Sequence, residues 1–296
     1  MKHPEVLYHY TSGEGLLNIL NSGHIWASDA AYMNDPGELR YGFDLLADLA
    51  KTASSDGKLS KSILKNLLNE INQVVEEKTA NGRVYFVSFC EDGDLLSQWR
   101  GYGASGGGYA IGVDPTCLYG PSKHEKEPER VLTQVLYDRA KQVKWLSSWL
   151  NEYISGNPTV DLLYLFSDIL MALKHPSYAE EREWRLVQFG RYVVPPGGKP
   201  PKNEIIWPAS FRVRSGRIVP YGDLDLTKST GPLKGKFPAV EIVCGPTIKR
   251  DLGLKALAQF GTSRGFNCRV DGKASPYERK GRPILNLRLS SAPFAT

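Results

Sequence analysis

The chain of 296 residues is 41% hydrophobic and 10% aromatic, which provides a substantial core for one large domain or two. Its formal net charge of +5 permits an anionic partner such as a nucleotide, RNA or DNA, although no Lys/Arg block strengthens that signal. The four cysteines lie far apart without CxxC spacing, which argues against a zinc site or a disulfide framework and indicates reduced thiols in a cytosolic protein.

The first elements along the chain are a strand, a short helix and a second strand. The apolar run Leu7–Ser12 predicts the first strand, and Gly15–Gly23 has the apolar spacing and terminal glycine of a short amphipathic helix. Ile25–Ser28 predicts the second strand, which is followed by a loop and then by a helix over Glu38–Leu49. The polar stretch Thr52–Gly57 is predicted to be a linker.

The middle of the chain begins with a second, clearly amphipathic helix. Ser60 is predicted to cap it, and its apolar stripe favours core packing over a partner surface. Val84–Phe89 and Tyr109–Val113 are β-branched and aromatic runs, so both predict strands, with a glycine-rich loop between them. From about Arg139 to Lys174 the pattern predicts an antiparallel pair of helices inserted between sheet strands.

The last part of the chain predicts mostly strands, with one helix at Leu252–Phe260. The predicted strands are Trp184–Phe189, Phe211–Val213, Ile218–Tyr221, Val240–Cys244, Asn267–Val270 and Ile284–Leu289. Strands and helices do not alternate regularly, so we expect an α+β fold with a mixed or antiparallel sheet rather than a doubly wound fold.

Two carboxylates give the clearest chemical signal. Glu181 and Glu183 stand two apart at the mouth of a predicted strand, where alternate side chains face the same way, so both could point into one cleft. Paired carboxylates suit glycosidic cleavage, because a carboxylate that faces an oxocarbenium ion stabilises the transition state. A glycoside hydrolase also needs paired acids, but the other motifs lack the aromatic platforms of a sugar groove. The alternative is an exposed acidic turn paired with Arg182 and Arg185.

A glycine run and a histidine add to this signal. Gly106–Gly108 lets the backbone approach a ligand, and the ring of Tyr109 could stack on a heterocycle. The run precedes a strand and no Gly-Lys-Ser/Thr follows it, which excludes a Walker loop and a Rossmann fingerprint. His9 ends a strand that feeds a helix and is placed to line a cleft, with an ordinary hydrogen-bonded core histidine as the alternative. No second histidine lies at ligand spacing, so we expect no metal site.

Taken in order, these motifs resemble two families. Leu7–Ser12 and the helix after it resemble the opening of the ADP-ribosyltransferase superfamily, Gly106–Tyr109 its Gly-x-Gly-x-Tyr element, and Glu181–Glu183 its Glu-x-Glu turn. The whole set, with Asn34–Pro36 and Ser275–Tyr277, more closely resembles a bacterial family labelled domain of unknown function 2971, over nearly all of the chain. Two departures from the superfamily pattern are the tyrosine that replaces glycine after the histidine and the helical insertion before the glutamates.

The resemblance implies one domain over residues 1–296 with a split β-sheet core of ADP-ribosyltransferase type, a helical insertion at 138–176 and NAD as substrate. It implies that His9 binds the adenosine-side ribose of NAD, with Thr11 or Ser12 close by. It also implies that the backbone of Tyr10 meets the nicotinamide amide.

The same resemblance assigns the catalytic end of the cleft. Tyr109 would stack on nicotinamide with Gly108 beside it, although Tyr102 competes for the stacking role. Glu183 would bind the hydroxyls of the nicotinamide ribose and favour its oxocarbenium ion, and Glu181 would orient the acceptor.

The acceptor itself is not readable from the sequence, and protein, RNA, DNA and water all remain open. A NAD glycohydrolase passes the ribose to water, and a non-catalytic nucleotide-binding or interaction module leaves NAD intact, so both are alternatives to a transferase. Five further residues are candidate contacts for the acceptor or for phosphate: Asn34, Asp35, Glu38, Trp99 and Arg100. The alternative for Asn-Asp-Pro is a routine turn.

The expected physiological role is that of a bacterial toxin or anti-phage defence effector in the cytoplasm. The N-terminus lacks the apolar region of a secretory signal, and no run approaches the ~18 apolar residues of a membrane span. An enzyme that consumes NAD or modifies a common macromolecule harms the cell that makes it. We therefore expect restraint by an inhibitory partner protein or antitoxin, because the polar stretch Asp225–Lys236 shows no inhibitory segment.

Overall fold

The computed structural model describes residues 4–32, 36–80, 83–102, 107–118, 130–155, 172–190, 210–214, 216–227, 233–247, 250–274 and 278–293. Its α-helices are α1 (Gly13–Ser22), α2 (Pro36–Ser55), α3 (Lys61–Ala80), α4 (Leu96–Tyr102), α5 (Arg139–Ile154) and α6 (Arg250–Ser263). Short 3-10 helices lie at Ala30–Tyr32, Pro115–Cys117 and Pro176–Glu181.

The strands are β1 (Leu7–Thr11), β2 (His24–Asp29), β3 (Arg83–Cys90), β4 (Tyr109–Val113), β5 (Arg130–Gln134), β6 (Glu183–Gly190), β7 (Ser210–Arg214), β8 (Arg217–Asp225), β9 (Ala239–Cys244), β10 (Asn267–Val270), β11 (Lys273–Ala274) and β12 (Ile284–Leu289). They form one sheet of 12 strands in the order β11-β10-β12-β9-β4-β1-β3-β2-β8-β7. β6 pairs with β3 along its whole length, and β5 pairs with β6. The pairings of β12 with β10 and with β9 are parallel, and the others described are antiparallel.

Helices cover both faces of this sheet. On one face, α1 and α6 pack against the central strands in a core that includes Leu16 and Leu257. On the other face, α2, α3 and α5 pack against β3 and β6 in a core that includes Phe43, Leu67 and Leu146. Burying large apolar side chains on both sides stabilises β3 and β6 as central strands, contributing about 1.5–3 kcal/mol for each fully buried side chain.

The helix α1 shows how the local sequence sets an element. Its N-cap Ser12 accepts a hydrogen bond from the amide of Gly15 at 3.1 Å, and such a cap contributes about 1 kcal/mol. Its C-cap Gly23 has φ 77°, a left-handed conformation that costs glycine little, and its amide donates to the carbonyl of Ile19 at 2.8 Å. The turn returns the chain directly into β2, so β1, α1 and β2 act as one unit.

The predicted α+β class is confirmed, and the sheet, predicted to be mixed or antiparallel, is mixed with mostly antiparallel strands. The predicted linker Thr52–Gly57 is wrong, because α2 continues to Ser55. The helix α4 and the strand β5 were not predicted. Of the predicted inserted helical pair, α5 is present, and residues 156–171 lie outside the described residues.

Within the described ranges, none of the helices has the length and apolar character needed to cross a membrane.

Candidate functional site

A cleft opens where β1 separates from β3. In the described ladder the two strands share a single register pair, Tyr8 with Cys90, and β2 takes up pairing with β3 only at Phe86 and Tyr85. Side chains from both strands therefore face an opening of about 740 Å³, part of it continuous with solvent. The cavity itself is about 100 Å³, below the ~300–1,000 Å³ of typical small-molecule sites, and the rest of the opening is surface groove.

Glu183 lies at the floor of this cleft, and four hydrogen bonds hold it as a carboxylate. Its Oε1 accepts from Arg185 Nε at 2.8 Å and from Ser88 Oγ at 2.6 Å. Its Oε2 accepts from Arg185 Nη2 at 2.9 Å and from Lys174 Nζ at 3.1 Å. Burial on its own would raise the pKa of Glu183, but the charges of Arg185 and Lys174 and the Ser88 bond lower that pKa to about 2.

Lys174 connects the two carboxylates of the cleft. Its Nζ donates to Glu181 Oε2 at 2.6 Å and to Glu183 Oε2 at 3.1 Å, and lies 5.0 Å from the ring centre of Tyr178. The side chain of Glu181 is 22% exposed, against 6% for Glu183 and 10% for Lys174. Counted with Arg185, two carboxylates face two cations, so their formal charges cancel. We call these four residues the carboxylate cluster.

A turn brings the two carboxylates together. Glu181 ends the 3-10 helix, Glu183 begins β6, and Arg182 between them has φ 41° and ψ 51° in the left-handed region. The guanidinium of Arg182 points away to Asp92, with Nη2 and Oδ2 separated by 3.0 Å. Strand alternation was the expected reason for a shared cleft, whereas the structure achieves it through this left-handed residue.

The backbone that carries Lys174 is fixed by a buried glutamine of α5. Gln142 is fully buried, and its Nε2 donates to the carbonyl of Lys174 at 2.9 Å and to that of Leu136 at 2.6 Å. Its Oε1 accepts from the hydroxyl of Tyr41 on α2 at 2.7 Å. Two helices on one face of the sheet thus determine where the ammonium lies.

His9 also lines the cleft and contacts Ser88, the residue whose hydroxyl binds Glu183. Its Nδ1 lies 3.1 Å from the carbonyl oxygen of Ser88, which can only accept, so Nδ1 carries the proton in this bond. Burial is the main reason that the pKa of His9 is lowered, and the charge of Arg212 lowers it further, against the Ser88 bond. The imidazole is therefore neutral near pH 7, with Nε2 as an acceptor.

Tyr10 and Trp99 hold the loop that follows β3. The hydroxyl of Tyr10 donates to the carbonyl of Asp92 and accepts from the amide of Leu95, both at 2.8 Å. Its ring meets Trp99 edge-on at 4.7 Å, and Trp99 Nε1 donates to Asp94 at 2.9 Å. Trp99 is only 1% exposed, so it packs inside the protein, and the predicted contact with an acceptor stays untested.

An aromatic wall borders the cleft on the β2 side. Trp26 is 40% exposed, and its ring lies 4.5 Å from that of Tyr221 on β8. The guanidinium carbon of Arg212 lies 5.6 Å from both ring centres, and its Nη2 donates to Ser28 Oγ at 2.8 Å. Aromatic surface beside a cation suits a flat, anionic ligand.

The glycine–tyrosine element lies away from the cleft. Gly108 is buried, its carbonyl accepts from a backbone amide at 2.8 Å, and Tyr109 packs its ring against Gly13 at the start of α1. Neither Gly108 nor Tyr109 is among the residues that line this cleft, and the expected stacking of Tyr109 on nicotinamide stays a prediction. Tyr102 at the end of α4 does line it and is 45% exposed.

The other predicted residues occupy varied positions. Ser12 caps α1, and Thr11 pairs with Tyr109 in the sheet, so neither lines the cleft. Arg100 is exposed on α4 outside the cleft lining, and Glu38 lies in α2. Two predicted acceptor contacts lie outside the described residues: Asn34 and Asp35.

Several cleft residues were not predicted to belong to the site. Lys174 and Ser88 carried no motif, and Arg185 was considered only as a surface partner of the glutamates. A lysine that directly follows an apolar run and precedes His-Pro was the one local signal available for Lys174. Ser88 meets Glu183 because β3 pairs with β6, and a single sequence does not reveal that pairing.

The described part of the chain contains no group of three or more His, Cys, Asp or Glu side chains that could hold a metal ion. The cleft instead offers a neutral imidazole, paired carboxylates and an aromatic wall. Such a set can bind hydroxyl groups, stabilise a developing positive charge and stack on a heterocycle.

Comparison with known proteins identifies one family. The family described as "Protein of unknown function (DUF2971)" matches residues 98–186, which begin in α4 and end in β6. The expected resemblance to the domain of unknown function 2971 family is confirmed on this segment, rather than over nearly all of the chain, and the segment contains Lys174, Glu181, Glu183 and Arg185. No curated protein and no solved structure matches the chain.

Proposed function

We propose that the cleft binds NAD and transfers its ADP-ribose group to a macromolecular acceptor, a nucleic acid or a protein. The observation that carries this proposal is that His9, Glu181 and Glu183 line one cleft. In the sequence, the histidine and the glutamates are more than 170 residues apart. The cleft opens at a separation between central strands, as expected for the split sheet of an ADP-ribosyltransferase. The domain organisation implied by that resemblance is part of the proposal.

The chemistry requires a stabilised cation. The bond between the ribose C1 and the nicotinamide nitrogen breaks, its electron pair leaves with neutral nicotinamide, and positive charge develops on the ribose. The acceptor nucleophile then bonds to C1 and releases its proton to solvent. Within the formally neutral carboxylate cluster, the oxygens of Glu183 and Glu181 are the negative groups proposed to face this charge, and one such electrostatic contact typically contributes on the order of 3 kcal/mol to transition-state stabilisation.

His9 and the aromatic residues supply binding. The neutral imidazole directs Nε2 as an acceptor for a ribose hydroxyl, while its Nδ1–H is held by the carbonyl of Ser88. The stacking role falls to Tyr102 and Trp26, because these rings line the cleft and Tyr109 does not. Each stacked base is stabilised by about 1–3 kcal/mol.

A labelling experiment tests the proposal. Purified protein is given NAD labelled in the adenine together with total bacterial lysate, and nicotinamide release and macromolecular label are both measured. We expect nicotinamide release together with label that either nuclease or protease removes. Release with label only in free ADP-ribose would indicate a NAD glycohydrolase, and no release at all would indicate a binding module.

We propose further that the protein acts as a toxin or anti-phage effector in the cytoplasm and is restrained by an inhibitory partner or antitoxin. The reasoning is chemical, because an enzyme that consumes NAD or modifies a common macromolecule damages the cell that contains it.

A further inference from the structure

We propose that Lys174 is a positioning residue, whose ammonium holds Glu181 and Glu183 side by side as two carboxylates and presents Glu181 to the ligand. The assignment to NAD cleavage rests on the proposed function, whereas the positioning itself does not. The distances are short on both sides: Lys174 Nζ lies 2.6 Å from Glu181 Oε2 and 3.1 Å from Glu183 Oε2.

The hydrogen-bond capacity of Glu183 supports this division of roles. Each carboxylate oxygen has two lone pairs, and each of the two oxygens of Glu183 already accepts two hydrogen bonds. Arg185 is only 2% exposed and lies over the ring of Phe86 at 4.6 Å, so it is a fixed partner. Glu183 therefore anchors the cluster, and the more exposed Glu181 is the carboxylate that ligand hydroxyls meet first.

A bridging cation is needed because two carboxylates this close repel each other. Like charges in one site force one carboxyl to keep its proton, unless an opposite charge lies between them. Arg185 is hydrogen-bonded to Glu183 in the described contacts, whereas Lys174 is the cation that bridges both acids. The bridge is placed by Gln142, which binds the carbonyl of Lys174 at 2.9 Å.

Other titratable or charged groups also face the cluster and must be included in any pH argument. Burial raises the pKa of Tyr137, whose phenolic oxygen accepts from the amide of Glu183 at 3.1 Å, and the charge of Glu183 raises it further. Burial likewise raises the pKa of Cys90 on β3 to about 11, so its thiol is neutral near pH 7. The remaining groups are the Tyr178 ring beside the ammonium, Arg182 in the turn and His9 in the cleft lining.

The test is a carboxyl titration that needs no activity. Protein labelled with ¹³C at glutamate Cδ is titrated by NMR, and the two resonances are assigned with the Glu181→Gln and Glu183→Gln variants. In Lys174→Met one carboxyl of the pair should titrate about one to three pH units higher than in the wild type, since the cation between them is gone. Lys174→Arg should restore the wild-type titration, and Lys141→Met on the exposed side of α5 should leave it unchanged.

Activity gives a second, separable readout. If NAD is cleaved, the acid limb of the pH–rate profile should move upward in Lys174→Met by the same amount as the carboxyl titration, and return in Lys174→Arg. If wild-type protein cleaves no NAD, the proposed function fails while the titration still tests the positioning role. A Lys174→Met protein that titrates like the wild type overturns the inference.

A measurement on the unaltered protein covers the case in which Lys174→Met does not fold. Protons on Lys174 Nζ should show NMR correlations to the Cδ of both Glu181 and Glu183. Correlation with only one of the two carboxyls, or with neither, overturns the bridging role.

Discussion

At the scale of single residues, the two glutamates of the cleft have different environments. Glu183 is buried with both oxygens occupied, whereas Glu181 is the more exposed and reaches Lys174 by a 2.6 Å bond. A buried ion pair adds little net stability, but removing one partner leaves an uncompensated charge, which costs about 3–5 kcal/mol. Variants of the two glutamates should therefore separate structure from chemistry.

Glu181→Gln and Glu183→Gln should each lower nicotinamide release about a hundredfold or more, because each removes negative charge from the face of the developing cation. Their stabilities should differ. Glu183→Gln leaves the 2% exposed Arg185 with weakened compensation and should lower the free energy of unfolding by several kcal/mol, of order 3. Glu181→Gln should lower it by less, about 1 kcal/mol.

Urea unfolding and a nicotinamide-release assay on both variants check this prediction. Wild-type release by both variants would remove the carboxylates from the mechanism. Equal stability losses would show that the burial difference between the two glutamates has no energetic consequence.

The pKa of Glu183 also predicts a pH dependence of stability. In the folded protein it is about 2, below the ordinary value of 4.5 that applies to the unfolded chain. The depressed pKa stabilises the fold above pH 4.5, and this contribution is lost as the pH falls from 4.5 towards about 2. The loss is on the order of 3 kcal/mol.

The measurement is the difference in unfolding free energy between wild type and Glu183→Gln across that acidic range. The difference should shrink as the pH falls, because the wild type loses the contribution that the variant already lacks. A constant difference would place the stabilisation outside the carboxylate charge. Glu14→Gln, at an exposed position in the first turn of α1, serves as a surface control for the same change of side chain.

At the scale of elements, the helix α5 determines the position of a cleft residue. Gln142 joins α5 and α2 to the backbone of Lys174 through three hydrogen bonds of 2.6 to 2.9 Å. A buried carbonyl or hydroxyl left without a partner costs about 1–3 kcal/mol. The helix α5 is therefore coupled to the cleft, and the core around its Leu146 and Trp149 includes Leu173, the neighbour of Lys174.

Gln142→Leu should lower the free energy of unfolding by about 1–3 kcal/mol, because it removes the Gln142 bonds to the carbonyls of Lys174 and Leu136 and to the hydroxyl of Tyr41. The Leu136 carbonyl keeps the amide of Lys174 at 3.5 Å, and the Tyr41 hydroxyl keeps Arg139 at 3.0 Å.

Gln134→Leu is the matched control. Gln134 is exposed and its single side-chain bond to Glu91 is long, at 3.2 Å, so a change within about 0.5 kcal/mol is expected. Chemical denaturation of both variants makes the comparison, and similar losses would contradict the role of Gln142 as a link.

The elements that the sequence predicted well are those with a strong local pattern. The strands Asn267–Val270 and Ile284–Leu289 have the predicted bounds, because apolar residues there are bounded by turn residues. The helix α4 was missed because it spans only 7 residues and contains Gly101 beside a glycine-rich stretch. The strand β5 was missed because its side chains are largely exposed or half-buried and show no alternation.

The cleft could be predicted only in part, for a related reason. The glutamates and His9 stand in recognisable motifs, and the structure brings them to one opening. Ser88 and Trp26 reach that opening through pairings between distant strands, and Lys174 is held there by Gln142, and no local pattern encodes either arrangement. Tyr109 was favoured over Tyr102 because it follows the glycines, but the sheet turns its ring towards Gly13 and away from the cleft.

At the scale of the whole molecule, the proposed activity has a consequence for the host cell. Induction of the wild-type protein in bacteria should slow growth, since NAD consumption or modification of a common macromolecule affects every cell. Glu181→Gln is the matched control, because it removes charge from the cleft at the smaller expected cost in stability. Growth on induction is compared at equal soluble expression, and cellular NAD is measured in the same cultures.

Slowed growth that disappears in Glu181→Gln supports a toxin whose harm comes from the cleft. Equal growth of the two strains would refute the toxin proposal for cells that have received no further trigger. Slowed growth in both strains would show that the harm does not arise from the carboxylates at all. Glu181 is partly exposed, and Arg185 keeps its buried partner Glu183 in this variant, so we expect Glu181→Gln to remain folded. The check is its thermal unfolding midpoint, which should match that of the wild type within a few degrees. With that match, a loss of toxicity is due to the lost carboxylate and not to unfolding.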